Sequence, residues 1–174
     1  MAMQRIMILG CPGSGKSTLA EKLGKKLDIE VTYTDMVRFL SGWIARDAQT
    51  ISNEMQEIQS RSHWIIDGSL SAGLMDHRIE RADTFVFLDF PRWLCMLRVI
   101  RRAITHYGRV RPNIPEGCKE GFNPEFFKWT WNWKHAARQK TEERLAQAKD
   151  TTRIFRLCNP AEVAKFLDEI EKER

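Results

Sequence analysis

A glycine-rich octapeptide near the N-terminus constrains the fold of this chain more than any other feature. Residues 10–17, with the sequence GCPGSGKS, fit the spacing G-x-x-x-x-G-K-S/T. They follow the apolar residues 5–9, which suit a buried strand, and they precede leucines and alanines at helical spacing up to Leu27. A strand, a tight glycine loop and a helix in this order predict one βα unit of a parallel sheet.

The same octapeptide has the chemistry that holds a polyphosphate. Glycines let the backbone curl so that several N–H groups converge on one anion, and the following helix adds the positive end of its dipole. In this pattern the lysine contacts the β- and γ-phosphates, and the following hydroxyl is a ligand of Mg²⁺. The sequence therefore predicts that ATP and Mg²⁺ bind here, with the nucleotide-binding residues Gly10, Pro12, Gly13, Ser14, Gly15, Lys16, Ser17 and Thr18.

Apolar runs and helical periodicity alternate along the rest of the chain. Strands are predicted at residues 5–9, 31–34, 63–67, 84–89 and 153–157, and residues 36–61 are predicted to be mostly helical. Pro91 suits the first residue of a helix, and Asn159 with Glu162 predicts a capped helix start. Five strands separated by helices predict an α/β fold, with an open parallel sheet covered on both faces.

Length and composition limit the domain organisation. A chain of 174 residues predicts one domain, residues 1–174, with its own hydrophobic core. No apolar run approaches the roughly 20 residues that cross a bilayer, and no signal-peptide pattern precedes the first strand, so we expect no membrane partner and a cytoplasmic location. The four cysteines lack C-x-x-C spacing and indicate neither a zinc site nor a disulfide framework. The oligomeric state stays open.

Three carboxylates close predicted strands. Asp35, Asp67 and Asp89 each follow an apolar run, and ligands of open α/β sheets lie beyond the carboxyl ends of the strands. Asp67 is predicted to hold the metal together with Ser17, because a carboxylate at this place can bind Mg²⁺ through water. Asp35, Asp67 and Asp89 are also predicted to contact the substrate, as are Arg38 and Arg109. The alternative for each carboxylate is a cap on the next helix.

The stretch from Arg92 to Arg111 contains arginines and no acidic residue. Arg98 and Arg102 are four residues apart, so they project from one helical face. Arg109 follows at the start of residues 108–125, a segment rich in proline and glycine that is predicted to be a mobile lid. Arginines that a closing lid delivers stabilise the charge of a transferring phosphoryl group. The alternatives are a solvated basic face and a surface for nucleic-acid phosphates.

Aromatic residues are concentrated in residues 126–133, which open the helix after the predicted lid. Phe126, Trp129 and Trp133 share one face and are predicted to lie in the core. Trp131 lies off that face, where it could stack on a base or pack against the lid. Arg138, further along the same helix, is predicted to point back into the cleft.

Several of these stretches resemble a known family. Residues 10–18, 64–68, 87–95 and 109–118, together with the tryptophan-rich helix, resemble the adenylate-kinase-like P-loop proteins called DNA topology modulation proteins, which are related to nucleoside monophosphate kinases. The resemblance covers nearly the whole chain. It implies a P-loop NTPase three-layer sandwich with strand order 2-3-1-4-5, an NMP-binding region near residues 35–62 and a helical lid near residues 103–128.

The resemblance also assigns residues, with two departures. Arg98 and Arg102 match the paired arginines that monophosphate kinases place before the lid, and Arg138 matches an arginine of the returning helix. The Asp-Gly-Phe-Pro motif of adenylate kinases is replaced by Asp67-Gly-Ser-Leu, which weakens the transfer of AMP specificity. The lid contains one cysteine, Cys118, where zinc-bearing adenylate kinases have four.

Two functional hypotheses follow from the sequence. The first is a Mg-ATP-dependent kinase that transfers the γ-phosphoryl group to a small acceptor such as a nucleotide, with Lys16, Arg98, Arg102 and Arg138 as catalytic residues. The second is an ATP-gated regulator that binds nucleic acid through the arginine-rich stretch. The chain lacks the N-K-x-D motif by which GTPases read their base, and it is short for a motor ATPase.

Overall fold

A five-stranded parallel sheet forms the centre of the computed structural model, which describes residues 3–70 and 72–172. The elements in chain order are β1 Arg5–Gly10, α1 Lys16–Leu27, β2 Val31–Tyr33, α2 Thr34–Arg38, β3 Phe39–Leu40, β4 Ile44–Ala45, α3 Ala48–Ser60, β5 Trp64–Asp67, α4 Ala72–Arg81, β6 Thr84–Leu88, α5 Arg92–Thr105, α6 Pro124–Ala146, β7 Arg153–Leu157 and α7 Pro160–Lys172. The sheet order is β2-β5-β1-β6-β7. Counted over the sheet strands alone this is 2-3-1-4-5, so the predicted fold class and strand order are confirmed.

Strand β1 lies in the middle of the sheet and sets the position of its neighbours. Ile8 is in register with Asp67 of β5 on one side and with Val86 of β6 on the other. These strands are apolar and almost completely buried, as parallel strands covered on both faces are. Because all five strands run the same way, the residues that follow β1, β5 and β6 meet at one edge of the sheet.

The helices cover the sheet and pack against one another in pairs. Helix α1 buries Leu19, Ala20 and Leu23, and it packs against β5 and α7. Helix α3 packs against α4, and α5 packs against α6. The start of α7 has the predicted capping box: the Glu162 backbone N–H donates to Asn159 Oδ1 at 3.0 Å, and the Glu162 carboxylate accepts from the Cys158 N–H at 2.6 Å. Among the described residues, no helix combines the length and the apolar character that a membrane crossing requires.

The segment 36–61 is mostly helical, as predicted, but a short hairpin separates its two helices. Strands β3 and β4 form a short antiparallel hairpin between α2 and α3, so the helical prediction is wrong over residues 39–45. Gly42 and Trp43 have φ angles of 76° and 63° at the tip of this hairpin, and that left-handed backbone cannot continue a helix. Helix α3 then begins with Asp47 as its N-cap, whose side chain accepts from the Gln49 and Thr50 N–H groups.

The region predicted as a lid is a loop between two helices. Helix α5 ends at Thr105 and α6 begins at Pro124, and residues 106–123 contain no helix but two isolated bridges, Tyr107 with Glu120 and Val110 with Lys119. The helical part of the predicted lid is therefore limited to the ends of α5 and α6. Pro91 is the residue that caps α5 and not its first helical residue.

The aromatic face of α6 is buried only in part. Trp133 is buried and lies 6.3 Å, between ring centroids, from Phe87 of the sheet. Trp129 is 52% exposed, so its prediction as a core residue is wrong. The first turns of α6 lie beside α5, where Phe126 contacts Arg102, and the Trp129 ring centroid lies 6.0 Å from that of Phe126.

Candidate functional site

The glycine loop after β1 lies directly on the first turns of α5. Gly13 has a φ of 78°, and a Cβ at this position would lie 2.4 Å from the Cys95 carbonyl oxygen. Gly15 has a φ of 99° but faces open space, with only an Arg98 nitrogen within 4 Å of a Cβ built there. The loop is therefore closed towards α5 and open towards the edge of the sheet. Both positions require glycine because their φ angles are positive, and at Gly13 a Cβ would also collide with α5.

The loop leads into α1 with its N–H groups available for an anion. Gly15 is the N-cap of α1 and supplies no side-chain cap, and the first N–H groups of a helix have no partner within the helix. Lys16, the first residue of α1, folds over the loop, and its Nζ donates to the Cys11 carbonyl at 3.1 Å. This is the location that the octapeptide predicts for the residues that hold a polyphosphate.

The structure brings Ser17 and Asp67 into contact. The Ser17 hydroxyl donates to Asp67 Oδ2 at 2.6 Å, while Asp67 Oδ1 is buried and accepts no hydrogen bond from the described residues. Burial raises the pKa of the Asp67 carboxyl, and Lys16 and the Ser17 hydrogen bond oppose that shift. A hydroxyl and a carboxylate oxygen without a partner, side by side at a phosphate loop, fit the all-oxygen ligand set of Mg²⁺.

Arg98 extends from α5 to the phosphate loop. Its Nη1 donates to the Ser14 carbonyl at 3.2 Å, and its guanidinium lies 5.2 Å from the centroid of the Phe90 ring. Helix α5 holds this arginine in place because Cys95 and Val99, which flank it on the buried face, pack against Gly13. Arg98 therefore places a positive charge at the open side of the loop.

Arg102, one turn further along α5, has a different partner. It pairs with Glu120 at 3.2 Å, and Arg111 pairs with the other oxygen of the same carboxylate at 2.5 Å. Glu120 is buried, and burial lowers the pKa of Arg102. This ion pair connects the loop of residues 106–123 to α5. Glu120 was missed by the sequence analysis, although it is one of only two acids in the predicted lid before Glu125.

Asp89 and Arg138 meet each other at the carboxyl edge of the sheet. Arg138 donates two hydrogen bonds to the Asp89 carboxylate, both at 2.9 Å, and Arg156 of β7 also donates to it. Glu142 completes this group by pairing with both arginines at 3.0 Å. Burial raises the pKa of Asp89, but the hydrogen bonds from Arg138 and Arg156 outweigh it and lower the pKa below its usual value. We call Asp89, Arg138, Glu142 and Arg156 the Asp89 cluster.

The remaining predicted substrate residues lie on the other side of the cleft. Asp35 is the second residue of α2, which follows β2 directly, and its charge acts on both Asp67 and Arg102. Arg38 is exposed at the end of α2, 5.3 Å from the Phe39 ring centroid. Arg109 is exposed in the loop, where its carbonyl accepts from the Glu120 N–H at 2.9 Å. Asp35 thus shares the cleft with the phosphate loop, whereas Arg38 and Arg109 have no contact with it.

The β3–β4 hairpin and the loop are joined by a set of hydrogen bonds that the sequence did not reveal. The Trp43 N–H donates to Cys118 Sγ at 3.2 Å, and the Trp43 indole donates to the Lys119 carbonyl at 3.1 Å. The Cys118 thiol donates to the Leu40 carbonyl at 3.3 Å. We call residues 40–43 and 117–119 the clasp. It connects the predicted NMP-binding region to the predicted lid.

Arg78 of α4 forms a hydrogen bond with the residue that follows β5. Its side chain is fully buried, and its Nη1 donates to the Gly68 carbonyl at 2.6 Å. Burial lowers the pKa of Arg78 to about 9. The hydrogen bond holds the residue directly after Asp67, so a charge that the sequence analysis did not identify positions the carboxylate at the phosphate loop.

The four cysteines are all reduced. Cys11 of the phosphate loop and Cys95 of α5 are both buried, and the Cys11 thiol donates to the Thr130 carbonyl at 3.8 Å. The nearness of the two thiols raises the pKa of Cys11 and lowers that of Cys95. Cys118 is buried in the clasp, and Cys158 is exposed at the end of β7. The two thiols at the phosphate loop add to the contacts that fix this loop on α5.

Comparison with known proteins supports the fold and the phosphate loop. Residues 6–67, which run from β1 to Asp67, are similar to the ATPase family associated with various cellular activities (AAA). The chain is 26% identical to an adenylate kinase of Gloeobacter violaceus over 125 residues, which is 67% of this chain and 54% of that protein. The chain therefore spans about half the length of this relative.

Solved structures of small-molecule kinases have the same fold. Shikimate kinase from Acinetobacter baumannii in complex with shikimate aligns with a TM-score of 0.61 at 14% identity, over 99% of this chain and 93% of that one. Shikimate kinase from Bacteroides thetaiotaomicron aligns with a TM-score of 0.58 at 18% identity, over 99% and 98%. At these identities the likeness concerns the fold. The chain shares the α/β fold of these kinases, with its five-stranded parallel sheet.

Proposed function

We propose that this protein is a Mg-ATP-dependent kinase that transfers the γ-phosphoryl group of ATP to a small acceptor, in the manner of adenylate kinases. The observation that carries the proposal is the contact between Ser17 and the buried Asp67 carboxylate at the mouth of the glycine loop. A hydroxyl and a carboxylate oxygen without a protein partner are what a nucleotide-bound Mg²⁺ requires from the protein.

The residues of the chain would divide the work as follows. The loop amides and Lys16 hold the β- and γ-phosphates, and Lys16 exchanges its bond to the Cys11 carbonyl for a bond to phosphate. Ser17 and Asp67 hold Mg²⁺, which supplies charge neutralisation at the phosphates when it is bound. Arg98 lies at the open side of the loop, where it stabilises negative charge on the transferring group.

Arg102 and Arg138 need a change of partner before they can act on a phosphate. Arg102 is paired with Glu120, and Arg138 is paired with Asp89. Each ion pair keeps its arginine at the edge of the cleft, so a ligand anion must compete with a carboxylate for the guanidinium. We propose that Arg98 contributes to the reaction directly and that Arg102 and Arg138 contribute when the loop rearranges around the substrates.

A nucleotide is the acceptor that we propose. The sequence relative is an adenylate kinase, and Asp35 lies in the cleft, where it can accept a hydrogen bond from a hydroxyl of the acceptor. The Ser69-Leu70 pair stands in place of the Phe-Pro of adenylate kinases. It gives the region after Asp67 a different side-chain surface, so the acceptor can differ from AMP in its base or its sugar.

The arrangement of the arginines favours a kinase over a nucleic-acid-binding regulator. Arg98 contacts the phosphate loop, Arg102 contacts Glu120, and Arg92 lies 4.4 Å above the Trp131 ring. The exposed face of α5 is apolar where a nucleic-acid surface would be basic. Binding of a nucleic-acid backbone requires a continuous row of cations. Arg98, Arg102 and Arg92 form no such row, because each contacts a different group of the protein.

The experiment that tests the proposal measures ADP release from Mg-ATP with a panel of acceptors: nucleoside monophosphates, nucleosides, shikimate and simple sugars. We expect turnover that one class of acceptor stimulates and that falls by about 10²–10³ in Lys16→Ala, because a charge on the transferring phosphates is lost. Lys25→Ala is the matched control, since Lys25 lies exposed on the same helix and pairs with Glu21.

The outcome against the proposal is ATP binding with no stimulation by any acceptor. Binding of a short DNA duplex with a steep dependence on salt would then favour the regulator. Stimulation by shikimate or a sugar alone would confirm a kinase and refute the nucleotide acceptor.

A further inference from the structure

Helix α5 carries an exposed apolar stripe on the face that points away from the sheet. Trp93, Leu97, Ile100 and Ile104 are all exposed, and Tyr107 continues the line just past the helix end. Their spacing along the chain is four, three, four and three residues. We call these five residues the α5 stripe. Residues at this spacing lie along one side of a helix, in the pattern by which two helices pack side by side.

The α5 stripe is larger than an ordinary scatter of apolar surface residues. Trp93 is 62% exposed, Leu97 58% and Ile104 64%, while Cys95, Val99 and Ala103 on the opposite face are buried. Together the five side chains expose roughly 600 Å², which is at the upper end of the largest patch on a typical monomer. Burial of the other face already fixes α5 in the fold, so the stripe does not stabilise the isolated chain.

The neighbouring helix widens this patch to the size of an interface. Trp131 of α6 is 44% exposed and lies beneath the Arg92 guanidinium at the start of the stripe. With this ring included, the surface approaches the roughly 800 Å² that each partner buries in a standard protein interface. Most soluble oligomers are two-fold dimers in which one patch meets its own copy.

We propose that the α5 stripe packs antiparallel against the same stripe of a second copy of this chain, with the two-fold axis between Leu97 and Ile100. In this arrangement Leu97 lies opposite Ile100 of the second copy, and Trp93 lies opposite Ile104. The part of the stripe from Trp93 to Ile104 is complementary to itself, because its spacing of four, three and four residues is the same in either direction.

Sedimentation equilibrium or light scattering over about 1–100 µM protein tests the proposal, since this range covers the dissociation constants of common dimers. We expect a dimer for the native chain, and for Leu97→Glu a dissociation constant at least about tenfold higher. Ile154→Glu is the matched control, because this isoleucine is exposed on β7, away from α5. Circular dichroism of both variants verifies that the monomer is folded.

A charge pair tests the direction of packing. Trp93→Glu and Ile104→Lys should each weaken the dimer, and the double variant should associate several-fold more tightly than either single variant, because the antiparallel pair places Glu opposite Lys twice. In a parallel pair the double variant places like charges together and should be weaker than both.

Three results would overturn the proposal. The first is a monomer at every concentration, and the second is a dimer that Leu97→Glu leaves intact. The third is a monomer that binds vesicles of anionic phospholipid and loses this binding in Leu97→Glu, which would make the stripe a membrane-surface contact. A double variant weaker than both single variants would refute the antiparallel direction.

Discussion

At the scale of single residues, the candidate site contains a buried carboxylate that lowers the stability of the fold. The Asp67 carboxylate is buried, forms one hydrogen bond with Ser17 and has no ion pair within the described part of the chain. Burial raises its pKa because water no longer stabilises the charged form. A carboxylate of this kind lowers the free energy of unfolding at neutral pH, and a cation bound beside it would offset this loss.

Asp67→Asn should therefore raise the stability of the fold at neutral pH and lower the apparent affinity for Mg²⁺. A raised pKa in the folded state gives stability that is present below the ordinary value of 3.8 and is lost as the pH rises through the folded pKa. We expect the variant to unfold at a higher temperature than the native chain at neutral pH, and this difference to vanish as the pH falls towards 3.8. The apparent affinity for Mg²⁺ in the ATPase or kinase assay should fall by about 10–100-fold.

Asp83→Asn is the control for this experiment. Asp83 accepts from the Gln4 and Arg5 N–H groups at the start of β1, away from the phosphate loop. Its loss should lower stability and leave the dependence on Mg²⁺ unchanged. An Asp67→Asn variant that is less stable than the native chain at neutral pH would contradict the account given for its raised pKa.

At the scale of secondary-structure elements, the clasp links two segments that move relative to the core in many kinases. It is built from the β3–β4 hairpin and the turn at Gly117, where a Cβ would lie 2.1 Å from the Ser41 hydroxyl oxygen and where φ is 79°. Only glycine allows this approach. The clasp therefore holds the hairpin against the loop of residues 106–123.

Gly117→Ala should loosen the clasp. The added methyl group collides with Ser41, and the left-handed backbone adds strain, so the amide of Trp43 should exchange its hydrogen about tenfold faster or more. Hydrogen exchange measured by mass spectrometry on residues 39–45 verifies this. Gly121→Ala is the matched control, because this glycine lies in the same loop with no atom within 4 Å of a Cβ. Equal exchange in the two variants would rule out the role given to Gly117.

The sequence predicted elements well where a strong periodic signal was present. The five sheet strands are apolar runs bounded by turn residues, and the octapeptide predicted the glycine loop between β1 and α1. The β3–β4 hairpin was missed because strands of two residues have no period to detect. Trp129 was misplaced because helical periodicity shows which residues share a face, and not how far that face extends over the core.

The partners of the charged residues were the least predictable part of the site. Arg98 and Arg102 share a helix face, as their spacing predicted, but Glu120 comes from a loop whose path is set by tertiary contacts. Arg156 lies in an edge strand and reaches Asp89 only because β7 pairs with β6. Pairings between residues that are distant in the sequence carry no local signal, so a single sequence could not assign them.

At the scale of the whole molecule, the Asp89 cluster connects the last part of the fold to the sheet. It joins the residue after β6 to α6 through Arg138 and to β7 through Arg156. Asp89 has a lowered pKa, so it contributes stability that is present above the ordinary value of 3.8 and is lost as the pH falls through the folded pKa. The cluster therefore links acid unfolding to the docking of α6 and β7.

Asp89→Asn should lower the free energy of unfolding at pH 7 by about 1–2 kcal/mol. This is less than the roughly 3–5 kcal/mol of a fully buried pair, because water reaches Arg156 and screens it. Urea unfolding at neutral pH and at about pH 3 verifies this, and the difference from the native chain should shrink in acid. Asp168→Asn, an exposed carboxylate on α7, is the control. A difference that is the same at both pH values would contradict the lowered pKa.

The distribution of the cysteines has a practical consequence. All four lie in the described part of the chain; three are buried, and Cys158 alone is exposed. Cys158 directly follows β7 at the carboxyl edge of the sheet, two residues after Arg156 of the Asp89 cluster. A maleimide dye should therefore attach at this one position in the native chain, without any engineered substitution.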